Sequence, residues 1–201
     1  MPCPFCMIAS GTPASPSPPV LTSKFGSAYP VLSTPTVIAF LDIAPIARGH
    51  VLLCPRQHSS KVIGLSPPES AAVGFWLPIL SRAVMKAVHG QEGEDGSWNI
   101  LQANGAEAGQ TVPHTHFHII PRAGASGTEV GKSEMTDTER KNLVLGEGPR
   151  ARLEDAEGQE LSQLINHEIV KEVTSLEEQG FLLSSQDNAP CMKVEGRDLK
   201  L

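Results

Sequence analysis

Three histidines at alternate positions, His114, His116 and His118, close on the aliphatic pair Ile119-Ile120. Successive side chains of a β-strand take opposite faces, so this spacing puts three imidazoles on one face, roughly 6.5–7 Å apart along the chain. Thr115 and Phe117 then face the other way. Imidazole changes charge near neutral pH and serves as nucleophile, acid or base, so a row of three in one cleft suits proton-coupled attack on an electrophile. The same row suits a metal, since His-x-His is a common ligand pair. A purely structural role also stays open.

The residues before the row bear on that choice. Asn104 to Thr111, Asn-Gly-Ala-Glu-Ala-Gly-Gln-Thr, join a strand-like run at 98–103 to the histidine strand. Glycines let a backbone approach a ligand closely, and loop amides with the Asn104, Gln110 and Thr111 side chains are suited to hold phosphate oxygens. No basic residue is present in this loop. A phosphate held by amides, a hydroxyl and imidazoles fits attack at phosphorus better than storage of charge. The plain alternative is a Gly/Asn hairpin connection.

Together, loop and row resemble the histidine-triad (HIT) family, whose signature is His-φ-His-φ-His-φ-φ after a Gly-Gln-Ser/Thr loop, and the likeness spans residues 3–122. His118 in third position points to the hydrolase branch, because branches that transfer nucleotides or phosphorolyse dinucleotides carry Gln there. Thr115 departs from the apolar preference of the pattern, although a β-branched residue suits a strand. The resemblance implies an α+β, HIT-like fold: a five-stranded antiparallel sheet with a main helix, here followed by a C-terminal helical extension. It also implies a homodimer of two such sheets.

The activity so implied is covalent and two-step. His116 attacks the α-phosphorus of a nucleoside 5′-monophosphate joined to a leaving group, and water cleaves the nucleotidyl-histidine. Asn104, Thr111, the amides of the loop containing Gly109 and Gln110, and His118 steady the phosphoryl oxygens, with His118 relaying a proton to the leaving group and His114 orienting or binding metal. The strand-like run 36–43 matches the family's nucleoside pocket, with Phe40, Leu41 and Ile43 on the base and Asp42 accepting the ribose hydroxyls. A planar base needs an apolar slot, and a vicinal diol suits two carboxylate oxygens. Read alone, the run is more readily a core strand ending in a turn-forming Asp. His50, in the apolar run 49–55, corresponds to a histidine that supports the triad from behind. The substrate implied is a purine nucleoside phosphoramidate. Dinucleoside polyphosphate hydrolysis, a nucleotide sensor or scaffold with incidental turnover, and a metalloenzyme liganded by the triad are the alternatives. No organic cofactor is implied.

Cys3-Pro4-Phe5-Cys6 has the spacing of two thiolates on one zinc, but two ligands do not make a site. Zinc-bearing members of the family take the others from positions matching His58 and His114, which implies a structural zinc on Cys3, Cys6, His58 and His114. A redox-sensitive dithiol is the competing reading.

Charge divides the chain in two. Residues 1–122 carry 7 basic and 6 acidic residues, net +1, whereas 123–201 carry 9 and 16, net −7. The expected organisation is a nucleotide-binding catalytic domain over 1–122 and an acidic extension over 123–201. An acidic tail is a poor partner for a nucleic-acid backbone, so a pocket-bound nucleotide is expected and a polymer is not. Four cysteines, with Cys54 and Cys191 outside the motif, suit a reducing compartment, cytoplasmic or nuclear. Stretches near the roughly 20 apolar residues of a membrane span are not expected, nor is a membrane partner.

Punctuation places the elements. Strands are expected near 27–32, 36–42, 49–55, 98–103 and 114–121. Ser66-Pro67-Pro68-Glu69 is a helix start, and the helix should run to His89 with a kink or break at Pro78. Its Phe75, Trp76 and Leu80 exceed one stripe and suggest the dimer contact. A second helix is expected over 152–178, where Leu161, Ile165, Ile169, Val173 and Leu176 form one apolar stripe and His167 lies outside it. The Pro/Ser-rich loop 10–19, the acidic loop 90–96 and the Gly/Ser-rich segment 123–133 read as irregular.

Overall fold

The computed structural model describes residues 2–15, 25–90, 96–122, 150–183, 190–194 and 197–200. Segment 123–133 and much of loops 10–19 and 90–96 lie outside the described residues. Strands β1 (Pro30–Ser33), β2 (Val37–Leu41), β3 (Val51–Pro55), β4 (Ser97–Leu101) and β5 (Phe117–Arg122) form one antiparallel sheet in the order β1-β2-β3-β5-β4. β6 (Phe181–Leu183), β7 (Pro190–Val194) and β8 (Arg197–Lys200) form a second antiparallel sheet.

Every residue of β2 and β3 is buried, because both faces are covered. Val37, Ala39 and Leu41, with Val51 and Leu53, join the helix-covered core. Ile38, Phe40, Leu52 and Cys54 pack instead on Phe5 and Ala9 of helix α1 (Pro4–Gly11). Register then selects what shares a face: Phe40 pairs with Leu52, and Leu52 with His118. An apolar slot therefore runs into a histidine across three strands.

Helix α2 (Pro67–His89) opens with the expected capping box, in which the Ser66 amide donates to Glu69 Oε2 at 2.8 Å and the Glu69 amide reaches back to Ser66 Oγ. The helix does not break at Pro78. Pro78 and Gly74, whose carbonyl loses its donor, both lie on the exposed side, where water can satisfy it. α2 is long and apolar enough, by length and composition, to cross a membrane, which the expectation of no such run had not registered. Burial accounts for that composition, since Trp76, Ile79, Leu80 and Val84 are sealed in the core. Of the residues expected at a dimer contact on this helix, Trp76 and Leu80 are 1% and 0% exposed within a single chain and so closed to a partner, whereas Phe75 is half-buried.

What covers them is helix α3 (Asp155–Glu178), which packs on α2 and β1 with Leu161, Ile165, Ile169 and Val173 buried and His167 outside. Gly158 lets the approach be close, because a Cβ there would sit 2.7 Å from the Tyr29 ring. Tyr29 donates its hydroxyl proton to Asp155 Oδ1 at 2.6 Å, and Asn166 Nδ2 donates to the Val31 carbonyl at 3.1 Å. Burial pushes the Glu172 carboxyl up, but Arg82 and Lys86, at 2.5 and 2.9 Å, outweigh it and hold it below its ordinary range.

One strand differs from expectation where it matters most. β5 begins at Phe117, so His114 and His116 precede the strand and only His118 of the three lies in it. The Thr115 amide and hydroxyl both donate to the Ser59 carbonyl, at 2.6 and 2.9 Å, and His114 N closes a turn on Val112 O after Pro113. Those bonds draw the segment off the β3 ladder toward the 58–60 loop.

Candidate active site

Helix α1 is held from its C-terminal end. The Arg56 guanidinium, just beyond β3, donates to the carbonyls of Ala9 (2.5 Å), Thr12 (2.7 Å) and Thr34 (2.5 Å), and to Ser33 Oγ. A cation on the last carbonyls of a helix is favoured by the helix dipole as well as by the bonds. The clamp fixes the other end of α1, where Cys3 caps the helix and Phe5 and Cys6 fill the first turn.

His114 turns toward that end. Its Nε2 donates to the Pro55 carbonyl at 2.9 Å, which leaves the lone pair on Nδ1, and Nδ1 lies 3.4 Å from Cys3 Sγ and 3.5 Å from Cys6 Sγ. His58 Nδ1 lies 3.4 Å from Cys6 Sγ, and the four donor atoms sit within 4.8 Å of one another. Zn–S bonds of about 2.3 Å and Zn–N bonds of about 2.0–2.1 Å at tetrahedral angles set S···N edges of about 3.5 Å. The chemistry and spacing of this quartet therefore fit zinc, with the Pro55 carbonyl orienting one ligand from behind.

His116 and His118 face elsewhere and converge, with ring centroids 4.8 Å apart. His116 Nδ1 donates to the His114 carbonyl at 2.6 Å, so its Nε2 keeps a lone pair. The Phe5 ring meets His116 edge-on at 5.2 Å. The Ile46 amide donates to His50 Nδ1 at 3.3 Å, so His50 carries its proton on Nε2 and donates it to His118 Nδ1 at 2.9 Å. His118 then carries its own proton on Nε2. Because His114 faces the cysteines, the triad does not converge on one ion, and the reading as a metalloenzyme liganded by the three histidines is not carried by this geometry. The Asp42, His50 and His118 donors do lie within 4.8 Å of one another, but the facing nitrogens of the two histidines are spent on their mutual bond.

Burial keeps these imidazoles neutral. It lowers His50 to about 2, helped by the charges of His118 and Arg150, and His118 to about 4, helped by His116 and Arg150. Burial also lowers His116, against the His114 carbonyl and Asp42. Asp42 Oδ2 lies 3.4 Å from His50 Nδ1, but a neutral His50 makes this a polar contact and not an ion pair. Burial raises the Asp42 carboxyl, opposed by the Ala44 amide on Oδ1 at 2.9 Å and by Arg150.

A cavity of about 580 Å³ opens on the two histidines. Phe40, Leu41, Asp42 and Ile43 line it, as do Gly109, Thr111, His116 and His118, so eight residues singled out in the sequence meet there. Three others do different work. Gln110 is buried with Oε1 accepting from the Gly105 amide and Nε2 donating to the Ser60 carbonyl, both at 2.7 Å, so it braces the loop and has no reach to a phosphate. Asn104 does not line the cavity, because its Oδ1 accepts from the Val62 amide at 2.9 Å and its Nδ2 faces Gln102. His50 is 1% exposed and touches His118, which places it behind the pocket.

Sequence reasoning missed Phe5, Arg56, Arg150 and the anchoring role of Thr115. Phe5 had a visible signal, since an aromatic between two metal-type cysteines travels wherever they are fixed. Arg150 had none, being separated by 32 positions from His118.

A family model described as the HIT domain matches residues 27–125. An adenosine 5′-monophosphoramidase of Schizosaccharomyces pombe is 40% identical over 111 residues, 55% of this chain and 77% of that protein. Among solved structures, a hypothetical histidine triad nucleotide-binding protein from Sulfolobus tokodaii superposes with a TM-score of 0.61 at 22% identity, covering 88% of this chain and 95% of that one. A Zn-bound histidine triad family protein from Mycobacterium smegmatis gives 0.57 at 22% identity, covering 87% and 98%. These two likenesses show the fold.

Neutral buried imidazoles make stability depend on pH. His50 and His118 have folded values of about 2 and about 4 against the ordinary 6.5, so below pH 6.5 the unfolded chain binds more protons than the folded one. Stability is fully present above 6.5 and falls as pH drops toward 4, by about a factor of ten in the folding constant per pH unit for each proton. Urea midpoints measured from pH 7.5 to 4 should show this decline, and His50→Gln should flatten it. Equal slopes in the two proteins would contradict the assignment.

Proposed function

The chain belongs to the HIT family, and we propose that it is a hydrolase that releases a purine nucleoside 5′-monophosphate from a phosphoramidate. The observation that carries this reading is the His114 carbonyl on His116 Nδ1, which turns an unprotonated Nε2 to the cavity shared with Phe40, Asp42 and His118. The name of the S. pombe relative supports the substrate class. In the first step His116 Nε2 forms a bond to the α-phosphorus while the bond from phosphorus to the leaving nitrogen breaks. The phosphoryl anion of the substrate favours a charged imidazole beside it, so His118 enters this step protonated and gives its Nε2 proton to the departing nitrogen. That charge puts a second proton on His118 Nδ1, drawn from solvent as the substrate enters, and His50 takes its other tautomer, with Nε2 accepting from His118 Nδ1 and the Nδ1 proton turned from the Ile46 amide to Asp42, 3.4 Å away. Water then attacks the phosphorus, His118 accepts its proton, and the His116–phosphorus bond breaks. The amide and side chain of Thr111 and the Gly109 backbone border the phosphoryl group, and Phe40, Leu41 and Ile43 form the base slot.

Zinc on Cys3, Cys6, His58 and His114 would tie α1 to the loops at 58 and 114 without supplying a reacting group. Cysteines needed as thiolates, with Cys54 free and buried, fit a reducing compartment of the cell. A homodimer fits the edge of β4, which among the described residues pairs with β5 alone and carries Trp98 and Ile100 at 40% and 43% exposed.

Three measurements test these readings. His116→Ala should lower kcat on adenosine 5′-phosphoramidate by several orders of magnitude, and a variant that keeps more than about a tenth would end the covalent scheme. About one zinc per chain should copurify and be lost from Cys3→Ser/Cys6→Ser, with a lower melting temperature and partial activity; unchanged metal content would refute the site. Ile100→Lys should convert a dimer to a monomer in sedimentation velocity, and a dimer that survives it would rule out the β4 edge.

A further inference from the structure

The acidic extension sends a positive charge into the cavity. Leu153 is buried, and its amide donates to the Ile43 carbonyl at 2.8 Å, so the segment from Arg150 to Leu153 lies against the end of β2. That anchor puts Arg150 into the wall of the 580 Å³ cavity, with Nη1 3.7 Å from Asp42 Oδ2. Among the described residues lining the cavity, Arg150 is the one guanidinium and Asp42 the one carboxylate. Arg48, paired with Glu157 at 3.6 Å, and Arg152 line a second cavity of about 240 Å³ that also touches Asp42 and His50.

A carboxylate alone at the ribose end suits hydroxyls and repels an anion. The guanidinium changes that balance, because it is always charged and presents planar donors matched to phosphate or carboxylate. The Arg150–Asp42 contact, at 3.7 Å with the Arg150 side chain 37% exposed, is a loose one for which a substrate anion can compete.

We infer that Arg150 is a specificity-determining residue that selects nucleotides carrying a second anionic group beside the phosphoryl being cleaved. Its contact with Asp42 places that group at the ribose end, as a phosphate on the 2′ or 3′ oxygen. A carboxylate on the leaving group would supply the same charge from the His118 side. The inference rests on the proposed hydrolysis for its kinetic readout, and on binding alone for a second.

The full-length wild type, Arg150→Ala and Arg150→Lys would be assayed on adenosine 5′-phosphoramidate, its 3′-phosphorylated form, and an AMP–aspartate phosphoramidate. Wild type should prefer the 3′-phosphorylated substrate in kcat/KM by about tenfold or more over the plain one, the scale of a charged hydrogen bond. Arg150→Ala should lose that preference and Arg150→Lys keep part of it. A preference found only for the aspartate conjugate, and lost in Arg150→Ala, would support the inference with the anion on the leaving group. Ratios equal within twofold in wild type and Arg150→Ala would overturn it while leaving the hydrolysis intact. If wild type cleaves none of the three, the hydrolysis reading fails. Calorimetric binding of adenosine 3′,5′-bisphosphate against AMP then still decides on Arg150, with equal affinity ratios in wild type and Arg150→Ala overturning it. Circular dichroism melts of both variants separate a folding defect from a lost contact.

Discussion

Main-chain groups hold His114, His116 and His50 in one tautomer each, and His50 passes that order on to His118, while the surrounding structure largely buries them. The Pro55 carbonyl sets His114, the His114 carbonyl sets His116, and the Ile46 amide sets His50, which in turn sets His118. Main-chain dipoles cannot titrate, so until a substrate anion enters the lone pairs and protons stay where the fold puts them. Burial makes the neutral forms dominant, because a charged imidazole loses more hydration than these partners return. The same desolvation strengthens any interaction with an incoming phosphoryl anion.

The pocket is assembled from three distant parts of the chain. The sheet contributes a row, Phe40, Leu52 and His118, fixed by register. The N-terminal helix contributes Phe5, Met7 and Ile8, held by the Arg56 clamp on its carbonyls. The extension contributes Arg150 through the Leu153–Ile43 bond, and its helix α3 closes the opposite face of the sheet over α2. Covering both faces explains why β2 and β3 are apolar throughout. It also explains why α2 has the composition of a membrane helix while packing as a core element.

Several elements were legible from local chemistry. The α2 start was readable from Ser66-Pro67-Pro68-Glu69, because a capping box is satisfied within four residues. The stripe on α3 was readable from its 3.6-residue period, and the pocket strand from its β-branched run closing on Asp42. The thiol pair was readable from its spacing, whereas His58 and His114 were implied by the family resemblance, and their 3.4 and 3.5 Å approaches to the thiols depend on the fold. Less legible were positions whose roles turn on non-local bonds. Gln110 reads as a phosphate ligand by type, yet the nearest unsatisfied groups are the Gly105 amide and the Ser60 carbonyl. His114 and His116 read as strand residues, yet Thr115 finds the Ser59 carbonyl and leaves the ladder.

What the sequence by itself determined is the chemistry on offer: imidazoles in alternation, a small-residue loop without cations, an apolar strand ending in a carboxylate and a thiol pair. Such features are local, and their physical consequences do not depend on the rest of the chain. Tertiary structure decided which nitrogen of each ring bears a proton, which of the three histidines faces the thiols, and that a guanidinium from the acidic half borders the pocket. Those outcomes depend on carbonyls, amides and buried surfaces far apart in the chain, which no spacing rule brings together.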